Sequence, residues 1–402
     1  MSVIALFACL PGFSFAGEVD ILMKKLVEKG TLTKEDAESI LQEIKQETAK
    51  PGKEKTMEIP DWVKNIKFGG DLRLRFQTED RKDDEKDARD RGRYRLRLGA
   101  ETKVADDVKV GFGLASGGGD PRSTNQTFEN TFEKKNIKID YAFADYSPVK
   151  WLNLTGGKMH SPIYRPSDLL WDSDITPEGA AAKFHYPVIP NLDLLFNTGF
   201  FILDERSSDN DPWMVTLQPG LNWKITKDLN LKLALAYYLF GGVKDNTLDF
   251  TSGTNTLLSN GKLKFDYDAP ALSGEIGHKN PFGFDFIPYV GLFGEYVNNP
   301  DAKDDDKGYI AGLRVGHQGM RKFGDWSFEY SYRKLEKDAW PDVFPDSDFH
   351  GGETDTKGHE AIFNFALLKN LWLTADYYRT RRIHTPPKQT EDLFQLDLNL
   401  KF

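Results

Sequence analysis

The sequence predicts an all-β fold: a transmembrane antiparallel β-barrel of about sixteen strands with a short N-terminal helical segment. Three observations lead there. Ribbons of alternating apolar and polar residues recur from Ile66 to Phe402, the last of them running Phe394, Leu396, Leu398, Leu400 and Phe402 on one parity. Period two is the signature of a strand with one apolar and one polar face. The connections alternate short and long. Finally, after the first sixteen residues no apolar run approaches the ~18 residues a transmembrane helix needs, yet 35 Gly and 28 Phe among 402 residues suit many short strands.

Residues 1–16 predict a signal peptide, an apolar start closed by the small-x-small run Ser14-Phe15-Ala16. Cleavage after Ala16 would remove Cys9, the one cysteine, and with it any disulfide or thiolate metal site. Residues 17–48 predict a periplasmic helical, coiled-coil segment. Ile21, Leu22, Leu26 and Val27 have helical spacing, Gly30 stops that helix, and Thr33 with Asp36 reads as a capping box for a second one carrying Ala37, Ile40, Leu41 and Ile44. The stripe is too short to fold alone, so it pairs with a copy of itself or with another protein. Residues 49–65 read as a linker and 66–402 as the barrel.

Strands are expected near 66–78, 92–104, 107–116, 136–147, 150–159, 178–187, 191–203, 213–225, 229–240, 268–279, 284–297, 307–318, 324–336, 357–368, 370–381 and 391–402. Every long connection falls at one end, as in outer-membrane barrels and unlike soluble sandwiches. In GDLRLRF, Leu72, Leu74 and Phe76 alternate with Arg73 and Arg75; in GRYRLRLGA, Tyr94, Leu96 and Leu98 alternate with Arg93, Arg95 and Arg97. A tight soluble core could not take five unpartnered arginines, whereas a wetted lumen can. Trp151, Tyr238, Phe240, Tyr296, Trp326, Trp372 and Tyr377 at strand ends are expected in interfacial aromatic girdles. The last strand must pair with the first, because an open edge in lipid leaves unpaired backbone groups.

The stretches LVEKGTLTKEDAESIL, GDLRLRF, RYRLRLG, GGGDPRSTNQTFEN, DYAFADYSP, GKM at 157–159 and WDSDITPEG at 171–179 together resemble the Putative porin family of bacterial outer membranes. The resemblance spans nearly the whole chain. It implies a water-filled outer-membrane channel for passive diffusion of small hydrophilic solutes, with no enzymatic activity, no cofactor and an N-terminal periplasmic coiled coil. Terminal Phe402 resembles the signature read by the barrel-insertion machinery. Lipid and lipopolysaccharide are the expected surroundings, and a homo-oligomer, a trimer among similar porins, the expected assembly. The resemblance supplies no particular solute.

Selectivity in such a channel comes from lumen charge and from any loop folded inside. Arg73, Arg75, Arg93, Arg95 and Arg97 are expected to form a basic wall, giving an anion preference. The loop HSPIYRPSDLLWDSDITPEG, with Asp168, Asp172, Asp174 and Glu178, is expected to face it. The competing expectation is that these arginines simply pair with lumen carboxylates such as Asp140 and Asp376. Arg122, in the preceding long loop, would add to the basic wall if that loop folds inward. Seven scattered histidines and DAKDDDKG at 301–308 lack metal-ligand spacing, and no haem-attaching, hydrolase or nucleotide-binding motif is present. The net charge of -9 disfavours nucleic acid. Two other roles stay open: a sheath for a threaded haem protein, and a tether through residues 18–48.

Overall fold

The computed structural model describes residues 24–30, 32–49, 61–82, 87–207, 210–386 and 390–402. The expected signal peptide and most of the expected linker lie outside the described residues. The chain divides into two units, Met1–Pro60 and Asp61–Phe402.

In the first unit, residues 24–28 form a helical turn, α1, ended by Gly30 at φ 68°. Helix α2 (Lys34–Ala49) follows. Thr33 caps it as expected: its hydroxyl accepts from Asp36 N–H at 3.1 Å and donates to the Asp36 carboxylate at 2.6 Å. Among the described residues no helix is long and apolar enough to cross a membrane.

The second unit opens with a short helix, α3 (Asp61–Lys64), inside the stretch read as linker; its Trp62 carbonyl accepts from the Thr102 hydroxyl at 2.6 Å. The strands are β1 (Lys67–Arg81), β2 (Arg89–Lys103), β3 (Val108–Ser116), β4 (Gln126–Thr127), β5 (Ile137–Val149), β6 (Leu152–Lys158), β7 (Glu178–Ile189), β8 (Leu192–Ile202), β9 (Trp213–Lys224), β10 (Leu229–Gly241), β11 (Ala269–Lys279), β12 (Tyr289–Asn298), β13 (Lys307–Gly316), β14 (Trp326–Leu335), β15 (Thr356–Leu368), β16 (Leu371–Arg382) and β17 (Thr390–Lys401). All but β4 form one closed antiparallel ring in chain order, sixteen staves in total. The two-residue β4 lies in the loop after β3 and pairs with β2 beyond the end of β3. It escaped the sequence reading because two residues show no period.

The ring closes where β17 meets β1, with Leu72 opposite Leu400, Leu74 opposite Leu398 and Phe76 opposite Leu396. The terminal Phe402 extends this seam: its N–H donates to the Gly70 carbonyl at 3.0 Å and its carbonyl accepts from Gly70 N–H at 2.9 Å. A side chain at position 70 would strike the Arg97 carbonyl at 2.4 Å and the Phe402 ring at 2.8 Å, so glycine is required there.

Burial follows parity, inverted relative to a soluble protein. Along β17, Leu396 is 42% exposed while Gln395 is 1% exposed. Leu233, Leu235 and Tyr237 of β10 point out; Ala234, Ala236 and Tyr238 point in and are buried. The outward parity is therefore apolar and faces the membrane, as the alternation predicts, while the inward parity carries the polar side chains together with small or aromatic ones such as Ala234 and Tyr238. Three expected girdle positions are corrected. Tyr238 and Phe240 are buried inside the barrel, and Trp372 shares the inward parity of buried Asp376 and Tyr378. Each sits one residue off the outward parity, which nearness to a strand end does not reveal. Two turns expected to be short, 280–288 and 317–325, run longer.

Gly70→Val is expected to destabilise the closed barrel by about 1–3 kcal/mol through overpacking at the seam. The heat-modifiable gel mobility of the purified protein would show a reduced folded fraction; an undiminished fraction would contradict the seam geometry.

Candidate functional site: a charged constriction inside the barrel

The register of β1 and β2 sets Arg73 directly opposite Arg95 and Arg75 opposite Arg93. Like charges so placed repel, so the row holds only if acids enter from elsewhere, and they do. Asp71 takes Arg95 at 2.9 Å and Arg97 at 2.8 Å. Asp397, delivered by β17, takes Arg75 in a two-pronged contact at 2.7 and 2.8 Å. Asp348, from the loop between β14 and β15, takes Arg75 at 2.9 Å. Burial works to raise the Asp348 carboxyl, but Arg75 more than reverses this and holds it at about 2. Arg73 donates to Asn125 at 2.7 Å. Among the described residues, Arg93 donates only to the neutral amide of Gln77, at 3.2 Å. The expected partners Asp140 and Asp376 form no ion pair with these guanidiniums, whose paired acids are Asp71 and Asp397 on the wall and Asp174 and Asp348 on inserted loops.

The loop 159–177 folds inward, and Asp174 reaches the basic wall, 3.3 Å from Arg97 and 3.8 Å from Arg95. Prolines at 162, 166 and 177 keep this segment from continuing as strand. Arg165 folds it on itself, donating to the carbonyls of Trp171 and Asp172 at 2.7 and 2.8 Å. Asp172 is buried and accepts from the N–H groups of Asp174 and Ser347, each at 2.8 Å. Burial, then the charges of Asp346 and Asp174, push its carboxyl well above the usual range. Asp168 lies 3.3 Å from Arg333. Glu178 stands apart at the start of β7, paired with Lys158 at 3.0 Å.

The second inserted loop, 336–355, was not foreseen. It carries Trp340, Val343, Phe344 and Phe349, all buried. Trp340 Nε1 donates to the Leu170 carbonyl at 2.8 Å, and Asp172 N–H donates to the Phe344 carbonyl at 2.7 Å. Trp171 packs on Phe344 with centroids 4.5 Å apart, and Trp340 on Tyr238 at 4.7 Å. The wall beneath is made of small inward residues, Ala234, Ala236, Ala269 and Ala271, which leave room for these rings. A third loop, 242–268, secures the second: Asp342 accepts from Thr254 N–H and the Thr251 hydroxyl, each at 2.7 Å, and Asp338 from Thr256 N–H at 2.7 Å. Arg333 on β14 joins both main loops to the wall, 2.7 Å from Asp346 and 3.3 Å from Asp168, its guanidinium 3.5 Å from the Phe349 ring centre. Burial, then Asp168, push the Asp346 carboxyl up to about 7 against the pull of Arg333.

Cavities remain on both sides of these loops. One of about 540 Å³ at the long-loop end is bordered by Asp140, Lys158 and Asp174. One of about 630 Å³ at the short-turn end is bordered by Arg314, Trp372 and Lys401. Arg314 bridges Glu275 and Glu329, each at 2.7 Å. Among the described residues no cluster of His, Cys, Asp and Glu has metal-binding geometry.

The family described as Putative porin matches residues 81–275 and 264–402. The chain belongs to that porin family. Its members are channels of the bacterial outer membrane, and this porin has their barrel. Among solved structures, OprB of Pseudomonas putida in its high-pH form has a TM-score of 0.56 at 11% identity, over 85% of this chain and 95% of that one. At that identity the likeness is one of fold. A triple mutant of Rhodopseudomonas blastica porin has a TM-score of 0.45 at 12% identity, over 84% of this chain and all of that one. No curated protein matches the sequence.

A signal for this porin's second loop was present: Trp340, Val343, Phe344 and Phe349 are too apolar for a segment that water would cover. Arg333 was likewise readable, since Ser327, Glu329, Ser331 and Arg333 share one parity against Phe328, Tyr330 and Tyr332. Arg333→Met should leave Asp346 and Asp168 without their cation at a cost of about 3–5 kcal/mol. The temperature at which the detergent-solubilised barrel unfolds is expected to fall; an unchanged midpoint would show that Arg333 does not hold the loops.

Proposed function

We propose that this porin admits small hydrophilic solutes by passive diffusion. Its constriction is the gap between the basic wall of Arg73, Arg75, Arg93, Arg95 and Arg97 and the loops 159–177 and 336–355. The observation that carries the reading is the contact of Asp174 with Arg95 and Arg97, because it brings an inserted loop across the lumen onto that wall. Cavities on both sides of the loops support a path interrupted there. Opposed charges across a narrow gap orient dipolar solutes and disfavour apolar ones. The wall is largely neutralised by Asp71, Asp174, Asp348 and Asp397, so the anion preference is mild and rests on Arg93. A lumen occupied by the chain's own aromatic loops favours a channel over a sheath for a threaded protein.

The assembly is a homo-oligomer, with a trimer as the favoured form. The outer wall of β5–β7 supports contact between copies: Ala142, Ala144, Gly156, Ala180 and Ala182 stand there where other staves carry Leu or Phe. Phe402 is the residue the insertion machinery reads, lipopolysaccharide borders the long loops, and residues 17–48 meet their partner in the periplasm.

Single-channel recording in planar bilayers, with reversal potentials in asymmetric KCl, tests the reading. The wild type should conduct, and Arg95→Glu/Arg97→Glu should move the permeability ratio toward cations. A ratio unchanged by the double substitution would remove the basic wall from the constriction.

A further inference from the structure

We infer that a chamber at the long-loop end of the lumen, lined by Arg81, Arg91, Arg93 and Arg122, is a binding site for a small oxyanion, a carboxylate or phosphate group. The inference rests on the channel reading above and names a class of solute for it. The chamber has a volume of about 250 Å³ and also borders Gln77, Ser123 and Ser347. That volume suits a single small anion rather than a macromolecule, and its lumen position keeps lipid headgroups away.

The chamber holds unmatched donors. Four carboxylates line the same chamber, but each is already engaged. Glu79 takes Arg91 at 2.8 Å, and Glu391 takes Arg81 at 2.7 Å. Asp348 is held by Arg75, whose guanidinium belongs to the wall below. Asp120 accepts from the backbone N–H of Arg122 at 2.9 Å and stands 3.4 Å from its Nε. Arg122 is itself fixed by carbonyls, those of Asp342 at 3.0 Å and of Gly352 and Phe250 at 3.4 Å. These carbonyl contacts hold the guanidinium in place beside its ion pair with Asp120.

Arg93 is left over. Among the described residues no carboxylate lies within ion-pair distance of it, its only hydrogen bond goes to Gln77, and its Nε is buried without a partner. Nε of Arg91 is buried without a partner too. A half-buried cation with a buried, idle Nε–H is costly unless an anion or ordered water meets it. The guanidinium fork matches a carboxylate or phosphate edge, giving two parallel charge-assisted bonds. An oxyanion entering from the long-loop side would meet Arg93 before the paired arginines of the constriction, so the chamber acts as a waiting site that raises local anion concentration above the narrowest point.

The test is titration calorimetry on the folded, detergent-solubilised full chain with inorganic phosphate in one arm and acetate in the other, at constant ionic strength against chloride. Saturable binding is expected in at least one arm, and which arm binds identifies the anion. Arg93→Gln should weaken binding about tenfold or more, the loss of roughly one charge-assisted contact, while Arg93→Lys retains part of it. Single-channel current should show a concentration-dependent block by the same anion that Arg93→Gln relieves. Heat-modifiable mobility shows that each variant folds. Absence of saturable binding in both arms, or equal binding by wild type and Arg93→Gln, overturns the inference. A protein that conducts KCl yet binds neither anion overturns this inference alone, and one that binds but does not conduct overturns the channel reading alone.

Discussion

Everything in this structure depends on backbone pairing in a medium without water. In hydrocarbon each unpaired N–H or C=O costs several kcal/mol, so a sheet can cross only if its first and last strands find each other. Here β1 and β17 do so over eleven residue pairs, from Asp71 with Lys401 to Arg81 with Glu391. That closure fixes which parity faces lipid on every stave. It also brings Asp397 beside Arg75, two residues 322 positions apart in the chain, so the same seam that seals the wall supplies the acid that makes its arginine row tolerable.

The interior then poses a second requirement. Face-to-face arginines are stable only with acids between them, and the sheet supplies too few. Asp174 and Asp348 arrive on loops, and those loops need their own support. They find it in a lumen partly built as an apolar core, where Trp171, Trp340 and Phe344 pack against alanines on β10 and β11. Polar clasps at Arg333, Asp338 and Asp342 fix the loops to the wall and to each other. Outward faces meet lipid, and inward faces serve both as pore lining and as a seat for the plug. The solute path is what this partial filling leaves over.

Much of this was legible because period two and loop length are local signals. All sixteen staves, the lipid-facing parity of Leu396 and Leu398, and the inward placement of the five arginines follow from alternation alone. Inward folding of 159–177 was also expected. Partner choice was not legible. Asp140 and Asp376 were reasonable guesses for the arginines, but the actual partner of Arg75 depends on a register between chain ends that no local pattern encodes. Tyr238 and Phe240 were misplaced because an aromatic residue near a strand end fits both a membrane girdle and a lumen core; only parity separates them, and parity puts Tyr238 with Ala234 and Ala236. The insertion of 336–355 carries no periodic signal, and its aromatics find their partners only in a distant loop, Trp340 on the Leu170 carbonyl and Phe344 on Trp171.

The most direct test of the account is a disulfide across the closing seam, in a barrel whose own sequence from Asp61 onward contains no cysteine. Cysteines at Leu74 and Leu398, paired in register, should cross-link on mild oxidation of the protein in outer membranes, as should a control pair at Leu74 and Tyr94 between β1 and β2. Cross-linking of the control pair without the seam pair would mean that the barrel does not close through β1 and β17.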